Sequence, residues 1–124
     1  MTQGLNDPYR ISIPSGGSKY IKTAFATIST SSLAEVIAAV PDKRLKVWEF
    51  SVQASINSDI YFASNSTAIT QTVKLAPHGS WIGEPIIIYE QNSPALVTNV
   101  GETLNLKQNT VGPTEVWVKY TEEE

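Results

Sequence analysis

His78 is the chain's single histidine, two residues before Ser80 in Ala76-Pro77-His78-Gly79-Ser80. A serine nucleophile needs an imidazole to take its proton, a carboxylate to orient that imidazole, and a sharp elbow to present the hydroxyl. No nucleophile-elbow sequence surrounds Ser80. A lone histidine in a chain without cysteine also falls short of the usual zinc ligand sets, and no His-Glu-x-x-His spacing occurs. His78 reads as a surface turn residue. Glu84 and Glu90 flank a strand candidate, and glycoside hydrolysis needs two carboxyls facing one another across a cleft. With 12 acids spread over 124 residues, such a spacing arises by chance, so both read as solvated. Asp59, Asp42 and Glu35 lack calcium-loop spacing, and Gly16-Gly17 lacks the strand-to-helix context of a phosphate loop. The expectation is a protein that is not an enzyme, with no catalytic residue, no metal and no cofactor.

Charge narrows the partners. Nine basic residues are scattered, the net charge is -3, and Lys43-Arg44-Lys46 is the one close basic group. That is no footprint for nucleic acid, and the group reads as a solvated strand entry. No apolar stretch reaches the roughly 18 residues of a membrane helix. The first residues, Met-Thr-Gln-Gly-Leu-Asn-Asp-Pro-Tyr-Arg, show neither the basic nor the apolar region of a secretory signal. A soluble protein made in a cytoplasm is expected. Asn65-Ser66-Thr67 fits a glycosylation sequon and reads as a turn in that setting.

The elements that would carry these residues are strands. Thr, Ser, Val, Ile and Asn are frequent while the strong helix formers are not, and 41% of residues are hydrophobic, enough to bury one core. Alternating runs occur at 20–29, 44–55, 59–64, 72–76, 81–89, 95–100, 103–107 and 114–120, separated by turn compositions. Their close spacing leaves no room for helical crossovers, so the sheets should be antiparallel. The expectation is an all-β, antiparallel β-sandwich of about eight strands. In the longest run, Leu45 and Val47 would face one side and Trp48, Phe50, Val52 and Ala54 the other, which suits a central strand or one at a subunit contact. Pro85 cannot donate to a ladder and should split its run into 81–83 and 86–89. Residues 97–124 read as a closing hairpin, with Leu104 and Leu106 inward, Trp117 opposite Val116 and Val118, and Glu122-Glu123-Glu124 a solvated tail.

Residues 31–43 are ambiguous. Leu33, Val36, Ile37 and Val40 fall at helical spacing, with Ser32 and Glu35 as a capping box and Pro41 as a stop. The strand alternative aligns Val36, Ala38 and Val40. Residues 1–19 differ from the domain at 20–124: Pro8, Pro14, Gly16 and Gly17 interrupt regular structure, yet Tyr9, Ile11 and Ile13 alternate. An extended N-terminal arm that orders on a neighbouring chain is expected, with Tyr9, Arg10, Ile11 and Ile13 as its contacts.

Aromatic residues are the remaining candidates for function. Trp48 stands between Val47 and Phe50 and reads as a core or interface anchor. Trp117 should face outward or into an oligomer contact. Trp81 follows a Gly-Ser turn and reads as the best exposed contact.

Three pieces taken together, Asp42–Ser55 (DKRLKVWEFSVQAS), Ser66–Pro85 (STAITQTVKLAPHGSWIGEP) and Val97–Glu124, resemble small β-sandwich proteins encoded among bacteriophage structural genes. That group includes capsid decoration, or cement, proteins with a jelly-roll-like fold that assemble as trimers on the head. The chain departs from their pattern in its Leu-Ala-Pro-His-Gly-Ser turn, which is usually richer in glycine, and in its longer arm. The resemblance implies a strand over 34–40. It also implies a structural protein of the virion: a homotrimer bound to the major capsid protein at contacts between capsid subunits, on the capsid surface. A carbohydrate- or receptor-binding sandwich of a tail or neck fibre, with a glycan as partner, is the alternative.

Overall fold

Strict alternation of apolar residues over long stretches is the dominant signal in this chain, and it yields strands throughout. The computed structural model describes residues 10–12, 18–88 and 91–124. In chain order its strands are β1 Arg10–Ser12, β2 Ser18–Tyr20, β3 Lys22–Ile28, β4 Ala34–Ile37, β5 Arg44–Ala54, β6 Ser58–Ser64 and β7 Thr67–Ala68. They continue as β8 Val73–Leu75, β9 Ser80–Gly83, β10 Ile86–Ile88, β11 Gln91–Ser93, β12 Leu96–Val97, β13 Leu104–Gln108 and β14 Thr114–Glu123. Every pairing is antiparallel. The first five-stranded sheet has the order β12-β5-β14-β3 with β9 also on β5, and the second has β4-β13-β6-β7 with β8 also on β6. The chain is thus an antiparallel β-sandwich, with ten strands in the two layers rather than about eight. The strands β1 and β2, and β10 and β11, form separate two-stranded ladders.

The core lies between the layers. Leu45, Val47, Phe50, Val52, Val116 and Val118 come from the first sheet, and Ile60, Phe62, Leu104 and Leu106 from the second. Phe50, Phe62 and Trp81 form its aromatic centre. Phe50 and Phe62 meet edge-on at 5.0 Å between centroids, and Trp81 stands edge-on to Phe50 at 5.0 Å. Such edge-to-face pairs add to the area they bury.

Three sequence expectations need correction. Leu45 and Val47 do not oppose Phe50, Val52 and Ala54; all five enter the same core. The cause is a β-bulge: Tyr120 pairs with Val47 and Lys119 with Glu49, so Trp48 is an extra residue with no partner on β14. An inserted residue shifts the two-residue period by one, returning the second half of the strand to the face of the first. Second, 103–107 and 114–120 are not a hairpin. The strand β13 pairs with β4 and β6 and belongs to one layer, whereas β14 pairs with β3 and β5 in the other. Leu106 and Val118 therefore contribute to the core from opposite sides. Third, the acidic end is not a free tail. The strand β14 runs to Glu123, which is 6% exposed. Lys46 Nζ lies 3.1 Å from its Oε1 and the Thr121 hydroxyl donates to Oε2 at 2.7 Å. Of the three acids only Glu124 is exposed, and it lies 3.8 Å from Lys43 Nζ.

Other expectations hold. Residues 34–37 form a strand, shorter than 34–40, with no helix at 31–43. Val36 and Ile37 are both buried, which explains the helical look of the spacing. Pro85 separates β9, which pairs with β5, from β10, which pairs with β11. Gly101 turns the chain at φ 75°.

Tyr120 packs half-buried against the core beside the bulge. Burial and then the nearby Glu122 raise its hydroxyl pKa above the usual 10.0, while Lys22 opposes them. A raised folded-state value makes a contribution to stability that is complete below the unfolded pKa, near 10, and lost as pH rises through the folded one. The expected result is that the stability difference between wild type and Tyr120→Phe is constant at neutral pH and shifts in favour of the variant above about pH 10. Urea midpoints at neutral and alkaline pH check this; a pH-independent difference would refute it.

Candidate functional site

The outer face of the first sheet is the candidate site. Because Val116 and Val118 are drawn into the core, Trp117 must point outward. Register then decides its neighbours. Trp117 pairs with Phe25 on one side and with Ser51 on the other, and Ser51 pairs with Ile82. The result is a row, Ile82-Ser51-Trp117-Phe25, across β9, β5, β14 and β3. Phe25 is 74% exposed and Ile82 65%, with Trp117 half-buried between them.

Polar rows flank it. On one side lie Ser80, Gln53, Glu115 and Thr27, in register on the same four strands. On the other lie Glu49, Lys119 and Thr23. Lys119 Nζ sits 5.2 Å from the Trp117 ring centroid and 3.9 Å from Glu49 Oε2, so the ring carries a cation on one side. A shallow open depression of about 730 Å³ runs between Phe25 and Trp117, over Ser51, Gln53 and Glu115. A smaller one of about 180 Å³ continues past Gln53 and Glu115 to His78 and Ser55. An apolar strip ringed by polar residues on a flat sheet is the composition of a contact surface. What such an arrangement can do chemically is bind through dispersion and desolvation, with hydrogen-bonding groups at the rim.

Trp117 stands where alternation puts it. Trp81 does not: it pairs with Val52 and turns inward to Phe50 and Phe62, so it is a half-buried core residue and not the exposed contact expected. The Gly-Ser turn before it suggested exposure, but the phase of β9 on β5 puts Ile82 outside instead. Trp48 is 4% exposed and donates from Nε1 to the Thr121 hydroxyl at 2.9 Å. It anchors the end of β14 at the bulge and is no surface contact. Arg10 and Ile11 lie in β1, whose residues Arg10, Ile11 and Ser12 pair with Tyr20, Lys19 and Ser18. Tyr9 and Ile13 lie outside the described residues, as do Tyr89 and Glu90. Glu84 is exposed, and His78 sits exposed in a turn at φ 62°. Asn65 occupies a turn at φ 51°, its side-chain oxygen accepting from the Thr103 amide at 3.0 Å.

Sequence reading missed Phe25 and Ile82. The run around Phe25 alternates Thr23, Phe25, Thr27 against Ala24, Ala26, Ile28, and either set passes for the inner one. Only the packing of Ala24, Ala26 and Ile28 on the core settles it. Among the described residues no three His, Asp or Glu side chains come together as a metal-ion site. No protein-family model, no curated protein and no solved structure matches the chain.

Proposed function

We propose that this protein is a non-enzymatic structural protein of a virion, decorating and stabilising a phage capsid as a homotrimer at contacts between capsid subunits. The observation that carries the adhesive part is the exposed row Ile82-Ser51-Trp117-Phe25 with its polar rim. The capsid part rests on the resemblance of residues 42–55, 66–85 and 97–124 to phage decoration proteins. An exposed apolar row beside a depression that is broad and open to solvent suits another protein surface better than a small molecule, which needs a site that encloses it. Three copies of one weak face, held together, bind a repeating shell far more firmly than one copy.

Trp117 is the anchor on this reading, since half-buried tryptophans at the centre of a contact carry a large share of the energy. Trp117→Ala is expected to keep the fold, because the residue lies on the outer face. It should weaken self-association and co-sedimentation with empty capsids by about 30-fold, the equivalent of a 2 kcal/mol hot spot. Analytical ultracentrifugation of both chains, with and without capsids, measures it. A wild-type chain that stays monomeric at high concentration with capsids present would sink the reading.

One observation favours a second reading. Ser51, Gln53 and Glu115 surround the Trp117 ring with a hydroxyl, an amide and a carboxylate, the groups that accompany an aromatic platform in sugar sites. Saturable quenching of tryptophan fluorescence by an oligosaccharide, absent in Trp117→Phe, would favour a glycan-binding module.

A further inference from the structure

The strand β3 has a second feature, independent of the capsid reading. Among the described residues it pairs only with β14, so along its other edge the outward N–H and C=O groups of alternate residues have no strand partner, up to Ile28, whose carbonyl accepts from Gln108. Natural edge strands are protected by proline, bulges, inward charges or a covering segment. The run Lys22-Thr23-Ala24-Phe25-Ala26-Thr27-Ile28 has no proline, no glycine and no register shift against β14. Its single charge, Lys22, is at one end and already lies 3.0 Å from Glu122.

The same run is self-complementary. Turned about a two-fold axis through Phe25, it sets Thr23 opposite Thr27 of the second copy, Ala24 opposite Ala26, and Phe25 opposite Phe25. Lys22 meets Ile28, so no like charges oppose each other. Thr-Thr and aromatic pairs are favourable cross-strand neighbours. Thr23, Phe25 and Thr27 share the outer face while Ala24 and Ala26 pack half-buried on the core, so the pairing keeps both faces in phase. It joins the two sheets into one and makes the exposed apolar row continuous from copy to copy. It also sets the most exposed aromatic ring described, Phe25, beside its counterpart on the second copy.

We propose that β3 is a strand-pairing edge whose occupant is β3 of a second copy of this chain, antiparallel and centred on Phe25. The competing occupant is the chain's own residues 1–9, since β1 is antiparallel to β2 and β2 leads into β3. That segment contains Gly4, Asp7 and Pro8, which suit a ladder poorly. The contact is two-fold, and in an assembly built from trimers it would link one trimer to the next.

The chain has no cysteine, so introduced thiols report alone. Thr23→Cys/Thr27→Cys in the full chain, treated with a short bis-maleimide, should give a covalent dimer as the end product, because a two-fold pairing closes on itself. Adding Phe25→Lys, or separately Phe25→Glu, should cut the dimer yield about tenfold, and an equimolar mixture of the two should recover it. A covalent trimer would mean a head-to-tail ring and overturn the proposal. So would a full chain that cross-links only after residues 1–9 are removed, or a yield unchanged by Phe25→Lys. If a charged variant failed to fold, the end product of the double-cysteine chain would still decide. Loss of capsid binding with the dimer intact would count against the proposed function alone.

Discussion

Gln108→Leu is expected to lower stability by about 3–5 kcal/mol, a large share of what a domain of this size holds. Gln108 is fully buried at the crossing from one sheet to the other. Its Nε2 lies 3.1 Å from the carbonyl oxygens of Ile28, Thr30 and Gly112, and its Oε1 accepts from the Thr114 hydroxyl. One side chain thus ties the end of β3, the connection after β13 and the start of β14. Leucine is apolar and one carbon shorter, so it leaves the buried Ile28 carbonyl and Thr114 hydroxyl without their partner and takes a donor from the part-buried carbonyls of Thr30 and Gly112. Each buried group so stranded costs about 1–3 kcal/mol, partly recovered by relaxation. Chemical denaturation with matched m-values measures the loss. A change below about 1 kcal/mol would show that water satisfies these groups instead. Because β3 and β14 carry Phe25 and Trp117, the loss should also loosen the outer row.

A second large effect is expected where β9 meets β5. Gly83 pairs with Phe50, and a Cβ built on Gly83 would lie 2.0 Å from Phe50 Cε2. The ring therefore rests over the glycine, in edge contact with Phe62 and Trp81. Phe50→Ala should cost about 3–5 kcal/mol through lost burial and a cavity between the aromatic partners. Gly83→Ala should cost about 1–3 kcal/mol, since the methyl group must displace a packed ring. The two should not add. With Phe50 gone, the methyl group at position 83 enters the vacated space, so Gly83→Ala becomes neutral or mildly stabilising in that background. A double-mutant cycle by thermal or urea unfolding tests this coupling, and strict additivity would contradict the overlap. No consequence for Trp117 is needed: it lies on the opposite face of the sheet.

Much of the architecture was legible because period-two alternation maps directly onto strands with one face buried. Val116, Trp117 and Val118 show it best: their order alone set two residues inward and the indole outward. Pro85 told where its run must break, since it has no N–H to give a ladder. Residues 34–37 were ambiguous because consecutive buried Val36 and Ile37 imitate helical spacing over so short a stretch.

What failed depends on pairing. One inserted residue at Trp48 inverted the phase of half of β5, and nothing local marks a bulge. The turn before Trp81 points it outside, but its direction follows from the register of β9 against β5. Residues 103–107 and 114–120 looked like a hairpin because their connection is short; the buried amide of Gln108 shows the chain crossing layers there. Glu123 reads as solvated because terminal acids usually are, but Lys46 and Thr121 hold it in the folded chain.

By itself the sequence determined the fold class, the antiparallel sense, most strand positions and the outward direction of Trp117, all properties of local alternation and turn chemistry. The tertiary structure alone decided that Ile82, Trp117 and Phe25, far apart in the chain, form one exposed row. Cross-strand register is a property of partners, and no single strand encodes which residue of another will stand beside it.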